Sequence, residues 1–182
     1  MPTLHADAAS CECLIFTFKE GVLSAMAHDL KLRVTSLQLD LQSKPWSVVA
    51  RFDARSLRVV CARAGGRDSP APVSERDRRT IEKSTADEVL NSKRFPEVIF
   101  RSEKISESPS GYSVRGTLEL HGRSQPLTFE VVHEGAQLVA ELPLHQPDFG
   151  IAPYRAMLGT LRVQPTVRVR ISLPAPAELG KG

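Results

Sequence analysis

Apolar and polar residues alternate along most of this chain, and this alternation is typical of β-strands with one buried face. The alternating sets are short and lie at residues 46–52, 98–102, 112–120, 127–132, 138–144 and 167–173. Turn-forming pairs separate several of them, namely Ser110-Gly111, His121-Gly122 and Glu134-Gly135. Short strands with regular turns predict an antiparallel all-β meander, sandwich or barrel.

The phase of the alternation changes once inside a long run. Apolar residues occupy even positions from Leu30 to Val34 and odd positions from Leu37 to Leu41. A shift of one residue would move every later side chain to the opposite face of the sheet. The sequence therefore predicts a bulge or bend near Thr35–Ser36, a device that curves long strands.

One segment has helical spacing instead. Ile81, Thr85 and Val89 repeat every four residues, and Ser74 precedes them as an N-cap candidate followed by acidic residues. This pattern predicts a single helix over roughly residues 75–91. Residues 62–73 contain two glycines and two prolines and are predicted to form a loop.

The composition indicates which class of protein the chain belongs to. The chain has 182 residues, 41% of them hydrophobic, and a net charge of +3, which fits one globular domain over residues 1–182. So mild a charge argues against a nucleic-acid partner. No apolar stretch approaches the ~20 residues of a membrane span. The N-terminus lacks a basic, apolar leader, so a cytoplasmic location is expected.

The cysteines give only a weak signal. Three cysteines, Cys11, Cys13 and Cys61, do not suggest a disulfide framework. A lone C-x-C offers two of the four ligands that zinc requires, so we expect buried thiols and no metal. No phosphate-binding glycine motif is present, and no cofactor is predicted.

Several motifs in series resemble those of the YceI-like family. They are RFPEVIFRS at 94–102, YSVRGTL at 112–118 followed by His121-Gly122 and Pro126, and DFGI at 148–151. The segment ending Ala27-His28-Asp29-Leu30 resembles a family branch that carries His-Asp there. The resemblance extends over most of the chain, roughly from residue 16 to 173.

This resemblance implies a fold and a function. The fold would be an extended eight-stranded antiparallel lipocalin-like β-barrel, with its core at about residues 14–173, one helix near the mouth and a frayed Pro-rich tail. The barrel would bind, transport or sequester a long apolar lipid: a polyisoprenoid, a quinone-like lipid or a fatty-acid derivative. Relatives and exposed strand edges also make a homodimer a reasonable expectation.

Inward-facing strand positions and the irregular segment 148–163 supply the candidate ligand-binding residues. Small lining residues such as Gly116 and Ala140 would leave room for a ligand. The predicted ligand-binding set is Phe16, His28, Leu32, Phe100, Leu118, Phe129, Leu142, Phe149 and Tyr154.

Two alternatives remain open at this point. The barrel could be filled by side chains and act as a protein-interaction module without a ligand. His28 could instead join His121 and His145 in a metal site or serve a histidine-dependent enzyme. Adjacent strand residues face opposite sides, so His28 and Asp29 would not pair, and no nucleophile motif is present. The sequence therefore favours a binding protein with no catalytic residues.

Overall fold

The fold is built almost entirely of antiparallel strands. A computed structural model describes residues 3–21 and 28–176. Residues 22–27, within the segment that resembles the His-Asp branch, and residues 177–182 of the predicted frayed tail lie outside the described residues. The strands are β1 (Thr3–Asp7), β2 (Glu12–Thr17), β3 (Lys19–Glu20), β4 (Asp29–Val34), β5 (Leu37–Gln42), β6 (Ser47–Asp53), β7 (Leu57–Ala64), β8 (Arg67–Asp68), β9 (Glu97–Ser108), β10 (Gly111–Leu120), β11 (Arg123–Glu134), β12 (Gln137–His145), β13 (Arg155–Ala156), β14 (Leu161–Val163) and β15 (Thr166–Pro174).

A bent strand pair closes the main sheet. Its order is β1-β5-β6-β9-β10-β11-β12-β15-β2-β4-β7-β8. The chain passes from β4 to β5, and again from β6 to β7, between opposite ends of this order. At the corner the Thr35 N–H donates to the Ser56 carbonyl at 3.0 Å, and the Asp53 N–H donates to the Ser36 carbonyl at 3.0 Å. The ladder therefore continues through the bend, and the sheet closes into a barrel.

The strand count differs from the expected eight. The main sheet contains twelve hydrogen-bonded segments. However, consecutive segments pair with consecutive segments: β1 pairs with β5 and β2 with β4, while β6 pairs with β5 and β7 with β4. The pairs β1–β2, β4–β5 and β6–β7 are therefore each one bent strand. With these counted once, nine strands remain, and eight of them form the circuit of the barrel, since the two-residue β8 only pairs with the end of β7. The predicted bend at Thr35–Ser36 is confirmed, since both residues lie between β4 and β5.

The segment predicted as a loop is partly a hairpin. β7 continues to Ala64, and β8 pairs with it through Arg63 opposite Asp68. Gly65 and Gly66 both have positive φ, at 57° and 75°. The loop prediction is wrong here because a Gly-Gly pair that looks like a strand breaker forms the tight turn of a hairpin.

The helix α1 (Glu75–Ser84) packs along the edge of β7. Its N-cap is the predicted one, because the Ser74 hydroxyl accepts from the Asp77 N–H at 3.1 Å. It continues as a π-helical turn at Thr85–Val89, close to the predicted end. None of the helices within residues 3–21 and 28–176 is long and apolar enough to cross a membrane.

Two charged side chains of α1 satisfy backbone groups of β7. The Val59 N–H donates to the Glu82 carboxylate at 2.9 Å. The Arg78 guanidinium donates to the carbonyls of Val59 at 2.6 Å and Val60 at 3.3 Å. The bent strand β6–β7 pairs with β9 only along β6, so along β7 these contacts replace the missing strand partner. An unmet backbone group in this position would cost free energy.

We expect Arg78→Ala to lower the free energy of unfolding by roughly 2 kcal/mol, because it leaves two strand carbonyls without their charged donor. Arg79→Ala is the matched control, because its side chain is 77% exposed and, within the described part of the chain, pairs with Glu75 one turn away. That change should fall within about 0.5 kcal/mol of the parent. Urea unfolding measures both variants, and equal midpoints would contradict the sealing role of Arg78.

Candidate ligand-binding cavity

The inside of the barrel is a cavity of about 830 Å³. Inward-facing side chains from every long strand form its wall, and most are aliphatic or aromatic. Members of this wall are Ile15, Leu32, Leu39, Val48, Ala50, Phe100, Val114, Leu118, Phe129, Ala140, Leu142 and Val169. An eight-stranded barrel is of the size that either fills with side chains or holds one ligand, and this one is not filled.

The polarity of the wall changes along the cavity. The end formed by the turn between β5 and β6 and the turn between β9 and β10 is lined by Trp46, Ile105 and Tyr112. The other end, where α1 lies, carries Thr17, Lys19, His28, Ser74, Asp77, Thr80, Ser84 and Tyr154. The cavity is therefore apolar in its depth, and its helix end carries polar groups beside apolar ones such as Ile81, Val89 and Leu90.

Most of the predicted ligand-binding residues border this cavity. They are His28, Leu32, Phe100, Leu118, Phe129, Leu142 and Tyr154. The alternation of apolar and polar residues along the long strands predicted that these side chains face inward. The structure places them around one cavity. Their contact with a ligand remains a prediction. Phe16 and Phe149 do not border the cavity.

The prediction that Phe16 faces inward is wrong. In β2 the inward positions are Cys13, Ile15 and Thr17, while Phe16 is half-exposed on the outer face. There the Arg63 guanidinium lies 4.7 Å from the centre of its ring, as in a cation–π contact. Both faces of β2 carry apolar residues, so the alternation alone could not show which face is buried.

The strands β11 and β12 leave an opening in the barrel wall, and the start of the irregular segment 148–163 lies there. β11 and β12 pair only from Val131 opposite Ala140 to Glu134 opposite Gln137. Beyond Val131 the two strands separate toward the helix end of the barrel. A 3₁₀ turn at Gln146–Phe149 packs against β11 and closes this gap. Two residues of the irregular segment, Asp148 and Phe149, therefore belong to a turn that covers an opening in the barrel wall.

Phe149 is a plug of the barrel wall and does not line the ligand space. It is 2% exposed, among the most buried side chains of the described residues. Its carbonyl lies 3.3 Å from the His121 ring nitrogen Nδ1, and the Gln125 amide donates to the Asp148 carbonyl at 3.0 Å. Phe149 was predicted to contact a ligand, and the structure places it in the barrel wall outside the cavity.

Gly116 does not enlarge the cavity. A methyl group built on its Cα would lie 2.6 Å from Cζ of Phe100 and 2.3 Å from the Arg101 carbonyl oxygen. The Phe100 ring thus occupies the space above this glycine, and it packs 5.4 Å from the Phe129 ring, centre to centre. The glycine allows an aromatic side chain to lie flat in the wall.

The histidines considered for a metal site have different surroundings. His28 borders the cavity, whereas Nδ1 of His121 faces the Phe149 carbonyl and Nδ1 of His145 lies 3.1 Å from the Thr166 hydroxyl. Across residues 3–21 and 28–176, no three His, Cys, Asp or Glu side chains come together as metal ligands. The described geometry gives the metal hypothesis no support.

Burial keeps the thiols neutral. Burial, helped by the neighbouring Glu12 carboxylate, raises the pKa of Cys11 to about 11. Burial beside Cys11 and Glu12 raises the pKa of Cys13 to about 12. The pKa of Cys61 is also raised, first by desolvation and then by the Asp68 carboxylate. Cys13 borders the cavity, so its protonated thiol acts there as a small apolar wall residue.

We expect the two buried thiols of the folded protein to resist a thiolate-specific disulfide reagent at pH 8. Only Cys61, which is partly exposed, should react on the timescale of minutes, and slowly, because the thiolate is the reactive form. Denaturant should expose all three, and Cys61→Ser should abolish the native reaction. Rapid reaction of all three thiols in the folded protein would contradict this account.

A family comparison agrees with this architecture. The model of the YceI-like domain matches residues 14–175, which is nearly the whole barrel. The chain belongs to the YceI-like family. No curated protein sequence matches this YceI-like chain.

Solved structures share the fold at low sequence identity. BcnA of Burkholderia cenocepacia is 17% identical, with a TM-score of 0.64 over 93% of this chain and 99% of that one. A polyisoprenoid-binding domain from Saccharophagus degradans is 13% identical, with a TM-score of 0.61 over 96% and 98%. The YceI protein of Campylobacter jejuni is 12% identical, with a TM-score of 0.57 over 82% and 85%. At these identities the likeness concerns the fold.

Proposed function

We propose that this YceI-like protein is a non-enzymatic carrier or sequestering protein for a long apolar lipid, a polyisoprenoid, quinone or fatty-acid derivative, held inside the barrel. The observation that carries the proposal is the cavity of about 830 Å³ with its apolar wall. This volume lies within the range of roughly 300–1,000 Å³ that small-molecule sites occupy.

Burial of the chain would supply the affinity. Each methylene removed from water contributes about 0.8 kcal/mol. A long hydrocarbon chain therefore offsets the cost of association with few polar contacts. The wall provides few such contacts in its depth, where Phe100, Leu118 and Phe129 lie. This arrangement suits a ligand recognised by length and apolarity.

Family membership supports the same ligand class. The structural relative from Saccharophagus degradans is described as a polyisoprenoid-binding domain. The rival hypothesis, a barrel filled by side chains and used only for protein contacts, requires an interior without space. The unfilled interior favours the carrier.

The decisive variant places a charge in the wall. Phe129 faces the cavity from β11, whereas its neighbour Thr128 is exposed on the outer face. We expect Phe129→Asp to lose bound lipid, because an aspartate at this position keeps water in the space that the chain must occupy. Thr128→Asp adds the same charge one residue away and should retain lipid like the parent.

Native mass spectrometry of the purified proteins, followed by solvent extraction and mass analysis, measures the bound molecule. The parent and Thr128→Asp should carry a discrete lipid mass, either as purified or after incubation with isoprenoid, quinone and fatty-acid lipids. A folded Phe129→Asp protein that retains the same lipid would show that the ligand lies elsewhere. A parent protein that takes up none of these lipids would reject the carrier function.

A further inference from the structure

A short hairpin, β13–β14, stands at the helix end of the barrel. β3 continues the line of β2 and pairs with β14, which in turn pairs with β13. Tyr154, just before β13, and Leu161 and Val163 of β14 border the cavity. β14 leads into β15, so the turn between β13 and β14, at Met157–Gly159, is the end of the hairpin away from the barrel wall. This turn is the hairpin tip.

The hairpin tip exposes a leucine. Leu158 is fully exposed, whereas Leu4, the other exposed large hydrophobic residue in the described part of the chain, is 40% exposed. Leu158 also has a left-handed backbone, with φ at 58° and ψ at 30°. Residues with a branched or bulky side chain seldom adopt this conformation, which glycine and asparagine adopt more readily. Neither solubility nor backbone conformation therefore favours a leucine here.

Two arginines lie opposite each other behind this leucine. Arg155 of β13 pairs with Arg162 of β14 in the strand register. Like charges directly opposite each other on neighbouring strands are destabilising. Glu20 neutralises Arg162, since their side chains lie 2.7 Å apart. Arg155 is exposed and makes no ion pair with any described residue, so the fold leaves its charge uncompensated.

A second hairpin at the same end of the barrel adds to this charge. β8 turns back along the end of β7, where β4 begins. The Asp68 carboxylate of this hairpin already pairs with Lys31 at 2.9 Å and with Arg63 at 3.2 Å. Arg67 is exposed and, within the described part of the chain, has no acidic partner. Arg67 and Arg155 thus present two unpaired positive charges at the helix end.

We propose that the hairpin tip docks on an anionic lipid bilayer. Leu158 would enter the boundary between head groups and acyl chains, and Arg155 and Arg162 would lie at the level of the phosphates, because long basic side chains keep their charge at the polar surface. Docking in this direction turns the helix end of the cavity toward the membrane. The docking itself is independent of the carrier function, but its purpose, the exchange of an apolar lipid with the bilayer, rests on that proposed function.

A bilayer fits this tip better than a protein partner does. A stable protein interface buries roughly 800 Å² on each partner around an apolar core. Leu158 is a single exposed leucine at its end of the barrel, since Leu4 lies on β1, opposite Leu41 near the other end. A bilayer requires only a small apolar insertion combined with attraction between basic side chains and anionic lipids.

Flotation with lipid vesicles tests the proposal. The parent protein, with no ligand added, is mixed with vesicles of phosphatidylcholine alone or of phosphatidylcholine with phosphatidylglycerol. We expect about tenfold stronger binding to the anionic vesicles, because each basic side chain near the surface adds to the attraction. Added salt should weaken this binding, because it screens the charges.

Variants assign the binding to the hairpin tip. Leu158→Asn suits the left-handed backbone and removes the apolar side chain, so it should bind anionic vesicles about tenfold more weakly. Leu158→Phe should bind like the parent. Arg155→Gln should weaken binding about fivefold and reduce its dependence on salt.

Leu4→Asn is the matched control, because it removes the other exposed leucine, at the opposite end of the barrel. It should bind vesicles like the parent. Thermal unfolding shows that each variant is folded, and Leu158→Asn should be at least as stable as the parent because asparagine tolerates the left-handed conformation.

The outcomes separate docking from lipid carriage. A folded Leu158→Asn protein that floats as well as the parent would overturn the assignment to this tip. Equal binding of the parent to neutral and anionic vesicles would overturn the role of the arginines. A parent that binds neither vesicle would overturn the docking, and self-association abolished by Leu158→Asn would then assign the tip to a second copy of the chain. The carrier function is tested separately, by native mass spectrometry without vesicles.

Discussion

The bent strand pair at the corner is the interaction on which the rest of the structure depends. Backbone hydrogen bonds between Thr35 and Ser56, and between Asp53 and Ser36, carry the ladder of β4 and β7 into that of β5 and β6. Without this continuity the sheet would have two open edges, and its apolar inner face would be exposed to water. Closure gives every long strand two neighbours over at least part of its length and encloses the apolar face.

Closure alone does not produce a cavity. The bend also draws β7 away from β9, and the helix α1 occupies the side of β7 that this exposes, with Arg78 and Glu82 satisfying its backbone. At the opposite wall β11 and β12 separate, and the turn containing Phe149 fills that gap. Both gaps in the strand pairing are thus covered by elements outside the main sheet. The space left between mid-sized wall residues is the cavity.

The same geometry orients the chemistry of the cavity. Strands that run the length of the barrel keep one side-chain face inward, so a change of residue type along a strand becomes a gradient of polarity along the cavity. In β2 and β3 this gradient runs from Cys13 to Lys19, and in β4 it runs from Val34 to His28. On these two adjacent strands the lining residues therefore change from apolar in the depth of the cavity to polar toward its helix end.

The sequence by itself determined the class of fold, the bend at Thr35–Ser36, the N-cap at Ser74 and most of the inner wall. These features depend on local periodicity and local hydrogen bonding, which a single strand or helix end already contains. Only the tertiary structure decided which face of β2 is inward, because both of its faces are apolar and burial depends on distant neighbours. It also placed Phe149 in the barrel wall outside the cavity and set the Phe100 ring over Gly116. Those outcomes depend on strand register and barrel closure, which join residues far apart in the chain.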